Sequence, residues 1–240
     1  IYDEHPEYFR MDEQGNRVSD YNCCPSSQEA LEIIARNAKA RAEKYPPTNH
    51  KYYFWLDDGG NKCFCDKCRD LNDSDQALLI ENRIIEALRE VDDKAMLAHL
   101  SYQNTLVPPA KVKPAEGVFL EFAPFFRTWE QPLDEREAQR AGMQITHGEY
   151  LDALEANLKV FPAETAQVLE YWMDISLVSD WKKPARQLTW HGDVFRSDIA
   201  TYARLGIRNI TAYAIYLDAD YVDAFHLSLI HISEPTRPRL

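Results

Sequence analysis

The sequence has no apolar run close to the roughly 20 residues that cross a bilayer as a helix, so no transmembrane helix is expected. It has no glycine-rich phosphate loop of either common form, which argues against a nucleotide site. Positive charge is short as well: 27 Lys and Arg stand against 39 Asp and Glu, a formal net charge of −12. Nucleic-acid binding rests on clustered Lys and Arg. The one mildly basic stretch, Trp181 to Arg186, is too short to form a patch. No internal repeat and no low-complexity segment is visible. Cysteine is scarce and confined: all five residues lie between Cys23 and Cys68. The first residue is Ile1, not an initiator methionine, so a missing leader says nothing about compartment.

What is present is a chain of 240 residues rich in rings, with 13 Tyr, 10 Phe and 5 Trp, enough for a large core or a sugar-binding cleft. Apolar spacing alternates between two periods. Ser26-Ser27-Gln28-Glu29 has the form of a capping box, and Leu31, Ile34, Ala38 and Ala42 continue it as a helix to about Lys44, where Pro46-Pro47 stops it. Lys51 to Asp57 reads as a buried strand. Asp73-x-x-Gln76 opens the next helix, with Leu78, Glu81, Ile84, Ile85, Leu88 and Val91 inward. Strands are expected at Ala95–Tyr102, Gly117–Ala123, Val168–Asp174 and Arg208–Tyr216. Helices are expected at Gly148–Val160 and Val194–Leu205, the latter ended by Gly206. Phe125 to Gln144 reads as a long mixed-charge loop.

Strands alternating with helices predict an α/β fold with a parallel sheet covered on both sides. Active sites in such folds lie at the C-terminal ends of the strands. Those ends carry Asp57-Asp58, Ser101-Tyr102, Glu121, Asp174 and Tyr213. Glu121 stands out, because it sits between Leu120 and Phe122 in an apolar strand, and a buried carboxylate needs a partner or a task. A salt bridge to a nearby Arg or Lys would serve as well as catalysis. His99, in mid-strand, reads as a core histidine.

Cys63-x-Cys65-x-x-Cys68 places three thiols within six residues, and Cys24 or Cys23 can supply a fourth. Four thiolates around one ion form a closed structural zinc site. Disulfide bonding, for example from Cys24 to one of the three, is the rival reading, with one thiol left over. Asp70-x-Asn72-x-Ser74 with Glu81 mimics a calcium loop, but the glycine required at the sixth position is Asp75.

Several segments in order, "HPEYFRMDEQGNR", Cys24, "DDGGNKCFCDKCRDLNDSD", "ENRI", "HLSYQNT" before a Pro-Pro pair and "LGIRNITAYAIYLDADY", resemble a family of large bacterial proteins catalogued as a domain of unknown function. That family is similar to glycoside hydrolases with a (β/α)8 TIM barrel, among them family 20 hexosaminidases and family 67 α-glucuronidases. The resemblance spans roughly residues 1–226. It implies a partial barrel holding roughly the fourth to eighth strands, a carbohydrate substrate, no cofactor for catalysis and export from the cell.

Glycoside hydrolysis generally uses two carboxyl groups flanking the bond. Asp57 and Asp58 are adjacent, so along a strand they point to opposite faces and do not form that pair alone. Glu121 is the best partner and Asp174 the next, on the same face as Trp172 and Glu170. Family 20 enzymes carry an acidic pair where Asp57-Asp58 falls, though the second position here is the shorter Asp. An alternative task for these acids is to shape a turn with the two glycines that follow. His5, Tyr102, Trp172 and Tyr213 are the candidate substrate contacts, and Cys24, Cys63, Cys65 and Cys68 the candidate metal ligands. The alternative function is a non-catalytic carbohydrate-binding barrel stapled by its cysteines. A third reading, a metalloenzyme with the cysteines facing the cleft, is weaker, since four thiolates leave no open position.

The last segment is of another kind. "LSLIHISEPTR", Leu227 to Arg237, is the translation of a transposon-type sequencing adapter, so residues 227–240 are expected to be a non-native tail and 1–226 the C-terminal portion of the barrel. On that expectation three strands precede Ile1 in the parent protein, and this polypeptide alone exposes strand edges and folds poorly.

Overall fold

The structure, a computed structural model, describes residues 1–226 apart from Tyr21 and Gly59. The expected tail from Leu227 lies outside the described residues. Five parallel strands alternate with helices, an α/β fold. In chain order the elements are α1 (Gln28–Lys44), β1 (Lys51–Tyr52), α2 (Asp73–Arg89), β2 (Met96–Ser101), β3 (Val118–Phe122), α3 (His147–Asn157), β4 (Gln167–Glu170), α4 (Gly192–Arg204), β5 (Asn209–Ala212) and α5 (Ala219–Phe225). The chain forms two compact units. One is Ile1–Ala123 with Asp152–Gln167; the other is Pro124–Leu151 with the chain from Val168 onward.

In the first unit β1, β2 and β3 pair in parallel, with Tyr52 opposite Leu97 and Leu100 opposite Glu121. Side chains alternate across a strand. Ala98, Leu100, Phe119 and Glu121 therefore share one face, and Leu97, His99, Leu120 and Phe122 the other. The second face packs on α2, where His99 Nδ1 meets Glu81 Oε2 at 2.7 Å with both side chains buried. Leu78, Leu88, Leu97, Phe119, Leu120 and Phe122 are fully buried. α1 lies on α2, and Arg83 forks onto Glu32 at 2.7 and 3.0 Å.

Several boundaries differ from the sequence reading: β4 ends at Glu170 rather than Asp174 and β5 at Ala212 rather than Tyr216, so Trp172, Asp174 and Tyr213 follow their strands instead of lying in them. The cap of α1 is Ser27, which accepts from the Ala30 amide, because Ser26 is drawn to the cysteine sulfurs instead. α2 starts on a reciprocal Asn72–Asp75 capping box rather than on Asp73. The other carboxylate oxygen of buried Asp75 accepts the amides of Ala110, Lys111 and Val112 at 2.7–3.0 Å. These bonds occupy the residue at the sixth place of the calcium-like pattern. β1 is shorter than expected: its ladder ends at Tyr52, and beyond it the Tyr53 and Trp55 side chains and the Asp57 amide donate to side chains elsewhere.

In the second unit β4 and β5 are neighbours, and the Tyr213 amide donates to the Glu170 carbonyl at 2.9 Å. The expected long loop after Phe122 is anchored here by Arg127, which is fully buried. Its guanidinium donates to Glu170 and to Asp198, each at 2.8 Å, and to the carbonyls of Thr128 and Gln131. Trp129 and Tyr202 also donate to Glu170, and Trp172 and the Leu133 amide to Asp198. Burial pushes the Glu170 carboxyl above its ordinary value, and the adjacent Arg127 opposes that. α5, which the sequence reading missed, is capped by Asp218 on the Tyr221 amide.

Removing one partner of a buried ion pair strands the others without solvent. Arg127→Met should therefore destabilise the protein by about 3–5 kcal/mol, read as a lower urea midpoint. An unchanged midpoint would show that Glu170 and Asp198 hold this node without the guanidinium.

Candidate functional site

Two side-chain clusters in the first unit have chemistry beyond packing. The first is built on β3. Glu121 is 1% exposed. Its Oε2 accepts the indole N–H of Trp55 at 2.9 Å and its Oε1 the amide of Gln167 at 2.8 Å. Gln167 in turn accepts from the Tyr53 hydroxyl at 3.2 Å and lies 3.5 Å from Lys51 Nζ. The ammonium of Lys51 sits over the Phe119 ring. Burial raises the Glu121 carboxyl to about 7, against the two N–H donors and the nearby Lys51, all of which favour the anion. The same burial lowers Lys51. Tyr53 and Trp55 remain 41% and 40% exposed, so two half-open rings flank a carboxyl group poised near neutrality.

Asp57 and Asp58 follow Trp55 by two and three residues and are exposed. Asp57 turns locally: its own Oδ1 accepts the Asp58 amide at 3.0 Å, its carbonyl the Gly60 amide at 3.3 Å, and its amide donates to Asn22 Oδ1 at 2.8 Å. The turn expected through Gly59 falls on a residue outside the described ones. His5 stacks on Tyr8 with ring centroids 4.5 Å apart and contacts Glu7. Tyr102 accepts a hydrogen bond from Gln103 through its hydroxyl. Asp174, Trp172 and Tyr213 lie in the second unit. Asp174 is buried and accepts from the amide and hydroxyl of Ser176. Trp172 is buried with its indole N–H on Asp198, and Tyr213 stands 5.3 Å from the Tyr171 ring.

The second cluster is the cysteines. Cys24, Cys63, Cys65 and Cys68 are all buried, and their Sγ atoms lie within 4.8 Å of one another. None is in a disulfide. The Cys24 sulfur stands 3.6 Å from that of Cys63 and 3.7 Å from that of Cys65, far beyond an S–S bond of about 2 Å. A tetrahedral ion with metal–sulfur bonds of about 2.3 Å sets its sulfurs about 3.8 Å apart. The four residues fit a metal ion on that ground. Hydrogen bonding from Cys63 pulls the Cys24 thiol far down, with Cys68 contributing next. Cys23 is outside the group, and burial pushes its thiol up to about 12.

The surroundings hold this cluster in place. The Met11 amide donates to Cys63 Sγ at 3.3 Å, and the Phe64 amide donates back to the Met11 carbonyl at 2.8 Å. Gln76, on α2 and buried, accepts the Cys63 amide at 2.8 Å and donates to the carbonyls of Cys63 and Cys68 at 2.9 Å each. Gln76, Ser26, Trp55, Gln167 and Lys51 have no place among the site residues expected from sequence. Buried glutamines in apolar runs, as at 76 and 167, were the available signal.

The model of the domain of unknown function DUF4838 matches residues 1–212. The chain belongs to this family. No curated protein and no solved structure matches it. Membership in the DUF4838 family brings no reaction with it, so the chemistry has to be argued from the two clusters. Among the described residues no helix is long and apolar enough to cross a membrane.

The raised Glu121 has a thermodynamic signature. A carboxyl group whose value is higher folded than unfolded keeps more protons in the folded state between the two values, so stability falls as pH rises. From the ordinary 4.5 to about 7 the loss should amount to roughly 3 kcal/mol. Glu121→Gln should flatten unfolding free energy against pH across that window, and an unaltered slope would place the titration elsewhere.

Proposed function

We propose that this chain is part of a glycoside-hydrolase-like (β/α)8 barrel that cleaves a glycosidic bond, with Glu121 as its proton donor. One observation carries the reading: a buried carboxyl near the end of a parallel strand, raised to about 7, beside two half-exposed aromatic rings. A general acid works best with a value near the operating pH, and burial is the usual means of raising a carboxyl group there. Tyr53 and Trp55 supply rings of the kind on which sugars stack. Asp57 or Asp58 is the second carboxylate in this scheme, on the segment that also delivers Trp55 to Glu121. It would act as nucleophile or as base for water, the choice depending on the separation of the two groups. The same rings serve a binding barrel without turnover, which is the second reading.

A panel of aryl glycosides and polysaccharides, including uronic and amino sugars, separates the two. Hydrolysis of at least one, reduced by about 10²- to 10⁴-fold in Glu121→Gln, is the expected result. Turnover unaffected by the substitution removes Glu121 from the mechanism. Binding without product across the panel would favour the non-catalytic barrel.

We further propose that Cys24, Cys63, Cys65 and Cys68 hold a structural zinc ion. Four thiolates leave no open position, so the ion would supply cross-linking and no chemistry on substrate. Metal analysis of the purified chain should give about one zinc per molecule, and Cys68→Ser should lose it. Iron in its place, or zinc retained in the variant, would refute the assignment.

A further inference from the structure

The cysteine cluster and the acid-bearing segment are adjacent in sequence, and the structure joins them a second way. Asn22 immediately precedes Cys23 and Cys24. Its side-chain Oδ1 accepts the backbone amide of Asp57 at 2.8 Å. Cys24 is fixed by its sulfur contacts to Cys63 and Cys65 and by its amide on the Tyr8 carbonyl at 2.9 Å. On its other side the cluster is locked to α2 through Gln76. Asp57 itself is exposed, its ladder partners having ended at Tyr52. The hydrogen bond from its amide to Asn22 is therefore a tether from the cysteine cluster to a segment beyond the end of the β1 ladder.

We infer that Asn22 is a positioning residue through which metal binding at the four cysteines sets the Trp55–Asp58 segment. The inference rests on the metal reading of the cysteines and is independent of what the acids do. With the ion bound, Cys24 cannot shift relative to Cys63, Cys65 and Cys68, so Asn22 presents its oxygen at one place. Without it, four buried thiols have only weak hydrogen bonds to hold them together. The stretch from Asn22 to Cys24 then loosens first, since apart from its sulfur it is held to the preceding chain by one isolated β-bridge to Phe9 and one amide hydrogen bond to the Tyr8 carbonyl, while β2 and β3 keep their ladder.

Hydrogen exchange by NMR on the whole chain tests this without any substrate. Zinc is added to the reduced chain or removed by a chelator, and metal content is measured alongside. Removal should speed exchange of the Asp57 amide about tenfold, the scale of one lost hydrogen bond, with Leu120 in β3 unaffected. Asn22→Ala should give the same acceleration while zinc stays bound, and Asn22→Asp, which keeps an acceptor oxygen, should restore slow exchange. Zinc uptake with Asp57 exchange the same in both states would overturn the coupling alone. Failure to take up zinc would overturn the metal reading, and the coupling with it. Loss of zinc in Asn22→Ala would also count against the inference, since it would make Asn22 part of the centre rather than its reporter.

Discussion

Four sulfur atoms within 4.8 Å of one another tie together stretches of the first unit that have little regular structure of their own. Cys24 comes from the N-terminal segment, and Cys63, Cys65 and Cys68 from the loop between β1 and α2. Burial of four thiols is cheap beside burial of charge, because a neutral thiol behaves as a small apolar group. The backbone around them is the costly part, and it is satisfied. Gln76 takes one amide and two carbonyls, and Met11 exchanges hydrogen bonds with Cys63 and Phe64. These bonds hold the Cys63–Cys68 loop, while Cys24 depends on its sulfur contacts and on its amide at the Tyr8 carbonyl.

The buried carboxylates show how differently a fold can treat the same group. Glu170 and Asp198 share one guanidinium, and their lone pairs are filled further by indoles, a phenol and an amide. The Asp75 carboxylate is surrounded by the backbone amides of Asn72, Ala110, Lys111 and Val112. Glu81 meets His99. Glu170 and Asp198 are held by a charge and Asp75 by several donors, the condition under which a buried acid is structural. Glu121 has one neutral donor on each oxygen, and burial outweighs them. Burial raises Glu170 as well, but a guanidinium in contact opposes it there, whereas both donors to Glu121 are neutral, which gives Glu121 a proton to exchange near neutral pH.

The strands and most helices were legible because their apolar periods differ, two in one case and near 3.6 in the other. That the C-x-C-x-x-C run could be completed by Cys24 or Cys23 was legible in the sequence. The choice of Cys24 over Cys23 follows the alternation of extended chain, where neighbours face opposite ways, and Cys23 is paired with Phe9 across a β-bridge. Other features were hidden by sequence distance. The donors to Glu121 lie 66 and 46 positions away. Arg127 sits in a mixed-charge stretch that reads as solvated, yet it is fully buried. The S-x-x-E pattern favours Ser26 as the cap by local rules, and the sulfur cluster draws Ser26 away so that Ser27 caps instead.

The two halves of "WLDDGGNKCFCDKC" are thus distinct in chemistry and linked in mechanics. Trp55 reaches back to Glu121, while the cysteines reach to Cys24 and to α2. The peptide between them has lost its ladder, so neither anchor alone fixes Asp57. An exposed side chain such as Asp57 gains little from contacts of its own, and its position is inherited from the backbone that carries it. Here that backbone is held from both ends and in the middle by Asn22 on the Asp57 amide and by Asn104 on the Gly60 carbonyl. A loop in this state is rigid only while each anchor is intact, which makes the cysteine centre relevant to the acids without bringing any ligand to them.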